Sequence, residues 1–398
     1  LSLIFNMFTD ARQRSVAIGV WITAFSAGGA IGPLVGGVLL ESFWWGSVFL
    51  MALPVMALLL ILGPRVLPEY RDAEAGRIDL LSAGMSLVAI LLVIYGLKDA
   101  AQGGMSATVA VTLVLGLLVG FLFIRRQRRL PSPLIDLNLF KTVTFNVSLG
   151  TNILAIFVAF GYFLFVAQYL QLVLGLTPLQ AGMWSLPSAV GFIVGSNVAP
   201  RFVHKARPAV VLAPSLALAA LGLIVLTWTT PTSGLAEVVV GSVLISLALS
   251  PVFNLTTELI VGSAPPERAG VVSGISETGA ELGGAVGIAV LGSIGTAVYR
   301  AGVADGLPTG VSAEAAGAIR DTLGAAIEVT QGLQPALVGT VLEVARSAFV
   351  DALHLTAIVA AAIAIVAAVV VGAVLRSTPG RDARPKAPDA LATQSSEA

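Results

Sequence analysis

Residues 28–37 read GGAIGPLVGG and lie within a longer, uninterrupted apolar stretch. An apolar run of about 20 residues is long enough for a helix to cross a bilayer. Gly28, Gly32 and Gly36 are four residues apart, so they share one helix face, and small residues at this spacing let two membrane helices pack closely. Pro33 removes a backbone hydrogen bond and is expected to kink the helix. The stretch therefore predicts a kinked transmembrane helix with a packing groove.

The rest of the chain is equally apolar. Hydrophobic residues make up 57% of the 398 residues and charged residues 11%, whereas a soluble domain carries about 25% charged residues. So few charges cannot cover a water-soluble globule of this length, which predicts an integral membrane protein. Membrane barrel strands are short and alternate in hydrophobicity, so helices are favoured. Ten apolar runs are long enough to span: residues 16–40, 45–62, 80–97, 106–124, 145–174, 179–199, 209–228, 235–261, 269–299 and 352–375.

The positive charges predict the orientation of these ten spans. Ten spans put both ends of the chain on one side, and 18 of the 22 Lys and Arg residues fall in the loops and ends on that side. The other side has Lys98, Arg300, Arg320 and Arg346. Because Lys and Arg stay cytoplasmic, both ends are predicted to lie in the cytoplasm, in a multi-pass protein of the plasma (inner) membrane.

Composition also argues against several function classes. A net charge of zero gives nucleic-acid binding no electrostatic basis. No cysteine and two histidines leave no thiolate or Cys/His metal site. No nucleophile–base constellation appears either, so we expect no enzyme, no catalytic residue, no metal and no cofactor. The expected partners are a small-molecule substrate, protons and the lipid bilayer.

Two acidic residues lie deep in the ninth span. Glu277 and Glu281 are four residues apart and share a helix face. At 1.5 Å per residue they lie roughly 14 and 20 Å from Arg268, well inside a hydrocarbon core about 30 Å thick. Acids at this depth are costly and indicate an ion or substrate path, and desolvation with mutual repulsion favours holding a proton. We predict proton coupling by this pair; the alternative is a structural carboxyl bonded to a neighbouring helix.

Several strings resemble one transporter family. GGAIGPLVGG, with DARQRS (10–15) before it and ESFWWGSVF (41–49) after it, resembles the antiporter motif on the fifth helix of drug:proton antiporters in the major facilitator superfamily. AQYLQLVLGLTPLQAG (167–182) and SGISETGAELGG (273–284) resemble the fourteen-helix branch, which includes exporters of quaternary ammonium compounds and methyl viologen. The resemblance implies packing roles in the antiporter motif for Gly28, Gly32, Pro33, Gly36 and Gly37.

The resemblance also implies how the chain is organised. The ten spans would be helices five to fourteen, and the first four helices would be absent. The implied units are a two-helix remnant of the N-terminal bundle at 1–64, an extra helix pair and cytoplasmic linker at 65–142, a six-helix C-terminal bundle at 143–376 with an outer loop at 300–351, and a disordered tail at 377–398. Within the outer loop, residues 312–330 and 334–348 are each predicted to form a short helix over the outer mouth.

A cavity that binds cations needs aromatic faces and a few amides. The candidate substrate-binding residues are Asn152, Tyr162, Gln168, Gln171, Trp184, Asn254 and Glu258. Aromatic residues of membrane helices are more often lipid-facing or core residues, so each one alone is a weak candidate. Gln168 and Gln171 are stronger, because buried amides need partners. Glu258 lies near the cytoplasmic end of its span and is equally consistent with reaching the headgroups.

These patterns together predict an all-α major facilitator fold and proton-coupled efflux of amphipathic compounds, with cationic drugs as the favoured cargo. The two bundles would rock around a central cavity. One alternative is a truncated membrane fragment or partner subunit that does not transport. Another is an exporter of a different cargo, such as an anion, a lipid or a metabolite.

Overall fold

A computed structural model describes residues 7, 11–66, 79–103, 106–130, 133–203, 207–263 and 269–377, and this part of the chain contains helices and turns but no strand. The predicted tail after residue 377 lies outside the described residues. The helices are α1 (Ala11–Ser42), α2 (Ser47–Leu50), α3 (Ala52–Val66), α4 (Leu80–Gly103), α5 (Ala107–Gln127), α6 (Val143–Gln168), α7 (Pro178–Val203), α8 (Pro208–Leu226), α9 (Leu235–Val261), α10 (Ala269–Gly306), α11 (Ala313–Asp321), α12 (Leu323–Thr330) and α13 (Pro335–Val374).

Eight apolar helices in the described part of the chain are long enough to cross a bilayer. They are Ser47–Val66, which joins α2 and α3, then α4, α5, α6 with the π-helical turn to Val173, α8, α9, α10 and α13. The two other predicted spans, 16–40 and 179–199, lie in α1 and α7 and are also helical. The all-helical membrane fold is confirmed, and the number of ten spans stays a prediction.

Six helices form one closely packed bundle: α6 to α10 and α13. Helix α9 packs against α6, α7 and α8, while α13 packs against α6, α8 and α10. Four neighbours, in the order α7, α9, α6 and α10, form what we call the four-helix wall, with α8 and α13 behind it. The largest fully buried side chains of this bundle include Tyr169, Leu212, Ile245, Leu291 and Leu353. The core thus lies between the wall and the two helices behind it.

The helices before this bundle are much less buried. Helix α3 has no buried residue among those described. Helix α1 packs against α7, and α4 packs against both α5 and α10. Elements of the first part of the chain therefore contact the two edge helices of the wall.

The pair α4–α5 is joined by a polar network at one end. Arg126 Nη2 lies 2.9 Å from Asp79 Oδ2, and Gln127 Nε2 donates to Ser82 Oγ at 2.7 Å. The buried Gln127 also accepts from the Leu134 N–H at 2.7 Å. Since Leu134 belongs to the segment that leads into α6, the network fixes the exit of this segment from the helix pair.

Helices α10 and α13 have 38 and 40 residues, or about 57 and 60 Å at 1.5 Å per residue. Both exceed a hydrocarbon core of about 30 Å, and they project at the ends that the charges predict to be outside, which we call the outer ends. Between them the Tyr299 hydroxyl donates to the carbonyl of the fully buried Ile319 at 2.8 Å. This hydrogen bond packs α11 against the outer end of α10. We call α11, α12 and the outer ends of α10 and α13 the outer extension.

The outer extension differs from the two predicted short helices. The predicted helix 312–330 is two helices, because Thr322 is extended and its hydroxyl caps the start of α12. The predicted helix 334–348 is the first part of α13 and is continuous with the last span. No helix-breaking residue separates residues 334–348 from the last span. The apolar part of the helix shows where the span lies, but it does not show that the helix begins earlier, at Pro335.

Candidate functional site

Helices α1 and α7 approach each other closely at their outer ends. A Cβ added to Gly37 would lie 2.7 Å from Leu179 Cα, and one added to Gly182 would lie 2.8 Å from the Pro33 carbonyl oxygen. Real Cβ atoms essentially never come this close, so only glycine permits this backbone contact. Gly182 ends the string AQYLQLVLGLTPLQAG, but no packing role was predicted for it.

The contact does not use every glycine of the motif. Apart from the chain neighbours and the nearby backbone of α1 itself, no described atom lies within 4 Å of the Cβ position of Gly28, Gly32 or Gly36. The face of α1 that meets α7 contains Pro33 and Gly37. Each of them is one residue after a glycine of the predicted row, so this face is turned about 100° from that row around the helix axis. Close packing at the other three glycines stays a prediction.

A second row of glycines joins α10 to α6. A Cβ on Gly283 would lie 2.6 Å from the Ile153 carbonyl oxygen, and one on Gly279 would lie 3.1 Å from the Ile153 side chain. Gly287 meets the Phe157 carbonyl in the same way. The spacing of four places these glycines along one face. They hold the two backbones together and thereby set the orientation of α10.

Glu277 and Glu281 lie on the opposite side of α10. Both are exposed, and each is two residues, or about 200°, from Gly279 on the helix. A Cβ on Gly274, near the same face, would meet nothing within 4 Å. Within the described residues no hydrogen bond or ion pair reaches either carboxylate. The two acids predicted for proton coupling thus share an open face of the four-helix wall.

Five of the predicted substrate-binding residues also lie on surfaces that are at least partly open. Gln171, Trp184 and Glu258 are exposed. Asn254 is half-buried and donates from Nδ2 to Ser196 Oγ at 3.0 Å, which ties α9 to α7. Gln168 is half-buried and donates to the Leu164 carbonyl within its own helix at 3.3 Å.

The other two candidates, Asn152 and Tyr162, lie inside the bundle. Asn152 Nδ2 donates to Thr256 Oγ1 at 2.9 Å, and both side chains are buried. Tyr162 is buried and stacks on Phe163 with ring centroids 4.6 Å apart. Asn152 therefore joins α6 to α9 in this structure. Substrate binding by either residue stays a prediction.

The structure reveals polar contacts that were not predicted. Ser188 of α7 and Ser246 of α9 share a hydrogen bond of 2.7 Å between their hydroxyl oxygens, both buried. Serine is common in membrane helices, and its partner on another helix depends on relative rotation, so spacing alone gave no signal. Among the described residues, no group of His, Cys, Asp and Glu is arranged to hold a metal.

The chain is similar to proteins of one known family. The model of the Major Facilitator Superfamily matches residues 1–288. The multidrug efflux pump LfrA of Mycolicibacterium smegmatis is 39% identical over 376 residues, which cover 94% of this chain and 74% of that protein. The methyl viologen resistance protein SmvA of Salmonella typhimurium is 31% identical over 344 residues, 86% of this chain and 69% of that protein.

Among solved structures, a bacterial homologue of the human lysosomal transporter Spinster, in an inward-facing and unoccupied conformation, is similar with a TM-score of 0.49 and 19% sequence identity. The similarity covers 92% of this chain and 73% of that chain.

Proposed function

Because the chain belongs to the Major Facilitator Superfamily, we propose that it exports amphipathic, cationic drugs or toxic compounds across the plasma membrane in exchange for protons. The family is one of membrane transporters, so the chain is not an enzyme. Drug export is supported by the relatives, since LfrA is named a multidrug efflux pump and SmvA a methyl viologen resistance protein. Methyl viologen is a dication, which favours a cationic cargo.

The observation that carries the proposal is the pair Glu277 and Glu281 on the open face of α10. They lie about 12 and 18 Å along the helix from Ala269, within the depth of the hydrocarbon core. A charged side chain costs about 2.5–3.5 kcal/mol at the centre of a bilayer on insertion scales, and such residues face a protein interior or a water-filled cavity. The exposed acids therefore favour a wet cavity, not lipid, in front of the four-helix wall.

The charge of this wall favours a cation over an anion. Its predicted spans, 145–174, 179–199, 235–261 and 269–299, contain no Lys or Arg. Glu258, Glu277 and Glu281 supply negative charge, and exposed aromatic and amide groups lie on neighbouring wall helices. Cation–π contact and carboxylate attraction both select a cationic, partly apolar molecule.

In the proposed exchange, the two acids bind either protons or the cation, but not both at once. Protonation from the outside releases the cation, and loss of the proton to the cytoplasm restores the site. Each half-cycle therefore carries one kind of positive charge, which is the requirement for antiport.

The cavity needs a second wall, and we propose that four further helices supply it. The parent would then have fourteen helices, with residues 1–64 as the remnant of its first bundle, 65–142 as the extra pair and linker, and 143–376 as the second bundle. This is supported by the absence of buried residues in the described helix α3 and by the open carboxylate face of α10. In this arrangement both ends of the present chain are cytoplasmic.

Alternating access would require the two bundles to rock about the cavity. The close contact of α1 with α7 at Gly37 and Gly182 supports a closed outer side in the conformation described. Opening the outer side would separate these two helices, while α6 and α10 would stay joined by their glycine row.

The proposal is tested by export of methyl viologen into inverted membrane vesicles under an imposed pH gradient. Glu277→Gln with Glu281→Gln should reduce export to background, because neither position can then exchange a proton. Glu314→Gln, an exposed acid in the first turn of α11, is the matched control and should export normally. Undiminished export by the double variant would refute the assignment, and a proposed fourteen-helix parent that exports nothing would favour the non-transporting alternative.

A further inference from the structure

Helix α7 leaves one backbone donor of its first turn for another element. Thr177 and Gln180 form a capping box, since the Thr177 N–H donates to Gln180 Oε1 at 3.0 Å and the Gln180 N–H donates to Thr177 Oγ1 at 3.2 Å. Pro178, the first helical residue, has no N–H, and the Ala181 N–H bonds back to the Thr177 carbonyl at 2.9 Å. Leu179 N–H is therefore the donor that the helix itself does not satisfy.

A carboxylate of α1 accepts from this donor. Glu41 Oε1 lies 3.3 Å from the Leu179 nitrogen. Pro33, Gly37 and Glu41 follow one another at intervals of four, so the same face of α1 supplies the tight backbone contact and the carboxylate. A Cβ on Gly37 would lie 2.7 Å from Leu179 Cα, so the two backbones touch here. Since the hydrogen bond is already 3.3 Å long, any separation of α7 from α1 breaks it.

The Glu41 carboxylate lies at the positive end of a helix. A helix N-terminus carries about half a positive charge and stabilises an anion beside it. The other charged residues of α1 are Arg12 and Arg14, at its opposite end, and α7 has Arg201, also at its opposite end. Between residues 42 and 64 the sequence has no charge at all. The helix terminus is thus the positive partner that the neighbouring sequence provides.

We propose that Glu41 is an anionic latch between the two bundles, a positioning residue that holds the outer side closed and releases Leu179 N–H each time that side opens. The proposal rests on the proposed alternating access, but the latch itself does not depend on the cargo. It assigns a role to the acidic residue that follows the glycine motif, beyond the packing of the glycines. In the proposed function, cargo and protons bind at the four-helix wall and not at the latch.

The latch is tested by the distance between spin labels on α1 and α7. Val38 and Met183 are exposed positions near the contact, and the sequence has no cysteine that would have to be removed first. The full chain in lipid nanodiscs should show a short, outer-closed distance and a long, outer-open one. The ratio of the two populations reports the strength of the latch without any transport measurement.

Three substitutions of Glu41 remove successive parts of the interaction. Glu41→Gln keeps an oxygen acceptor but loses the charge, so the closed-to-open ratio should fall by about two- to fivefold, the range for a charge at a helix terminus. Glu41→Ala loses the acceptor as well and should lower the ratio by roughly tenfold or more. Glu41→Lys places like charge at the helix terminus and should open the outer side furthest. Glu328→Gln, an exposed acid on α12, should leave the ratio unchanged.

Salt separates a charged latch from a purely steric contact. Raising the salt from about 0.01 M to about 1 M shortens the screening length from about 30 to 3 Å. The closed fraction of the unsubstituted protein should therefore fall, while that of Glu41→Gln stays constant. An unchanged distance distribution in Glu41→Ala, with helical content retained, would overturn the proposal. A shifted distribution in a protein that exports nothing would uphold the latch and refute the proposed function.

Discussion

Both edge helices of the four-helix wall use glycine for close backbone contact, but α10 also has a glycine on an open face. At α7, glycines bring two backbones so close that a Cβ on Gly37 would lie 2.7 Å from Leu179 Cα. At α10, Gly283 is packed against the Ile153 carbonyl, whereas Gly274 opens onto empty space beside the exposed Glu277. The comparison shows that a glycine row has a packed and an open side, and that the open side of α10 is the one that carries charge.

The packed side of α10 is the part that a single methyl group should disrupt most. Gly283→Ala would place a Cβ 2.6 Å from a backbone oxygen, and overpacking of this kind costs roughly 1–3 kcal/mol; we expect the upper end, because a backbone atom yields less than a side chain. Gly274→Ala is the control on the same helix and should be neutral or slightly stabilising. Unfolding free energies measured in mixed detergent check the pair, and equal values for the two variants would contradict the packing described here.

The contact of α1 with α7 should yield more easily, because most of the described residues of α1 are exposed. Gly37→Ala is expected to lower the closed-to-open ratio at the outer ends by about fivefold, equivalent to about 1 kcal/mol. Gly36→Ala, one residue away and facing open space, should not change the ratio. Spin labels at the exposed positions Val38 and Met183 provide the measurement. A larger effect of Gly36→Ala than of Gly37→Ala would show that the face predicted from the sequence, with Gly28, Gly32 and Gly36, makes the contact.

The hydrogen bonds between the helices of the wall should contribute less to the unfolding free energy than its glycine contacts do. Hydrogen bonds between membrane helices average about 0.6 kcal/mol in double-mutant cycles, with a maximum near 1.7. A cycle with Asn152→Leu and Thr256→Val should give a coupling energy in that range, since their side chains bond at 2.9 Å. If the coupling is zero while Asn152→Leu alone weakens cargo binding, Asn152 belongs to the binding site after all.

The smallest effect is expected at the polar network of α4 and α5. Hydrogen bonds from the Ser82 hydroxyl and N–H, and then from Arg126, hold the pKa of Asp79 below its ordinary value. A carboxyl whose pKa is lowered by folding stabilises the fold above its unfolded pKa, and the stabilisation is lost as the pH falls through the folded pKa. The thermal unfolding temperature of Asp79→Asn should therefore fall less with decreasing pH than that of the unsubstituted protein. Parallel pH profiles of the two unfolding temperatures would contradict this role of Asp79.

Much of the fold follows from the sequence, because the bilayer leaves few choices. Apolar length alone located the helices, and the predicted spans 145–174 and 235–261 match α6 and α9 closely. The outer extension was mispredicted since residues 335–351 mix polar and apolar positions, and a helix outside the membrane can continue a span without any break in the chain. Length rules describe only the part of a helix that lies in the bilayer.

The candidate site was harder to predict, because function depends on rotation about the helix axis. The spacing of Glu277 and Glu281 gave their shared face, but only the packed glycines opposite them show which way that face points. Asn152 and Gln171 are both amides of one apolar segment, yet one is buried in a helix contact and the other exposed. Glu41 is four residues after Gly37, a spacing that could have assigned it to the same contact.

We propose that Glu277 and Glu281, on the open face of α10, exchange protons for a cation. Methyl viologen is added to the purified protein in weakly buffered solution, and the proton release is measured. Binding should release protons from the unsubstituted protein, and Glu277→Gln with Glu281→Gln should abolish the release. Methyl viologen that binds without releasing protons, or equal release from the parent and the double variant, would contradict it.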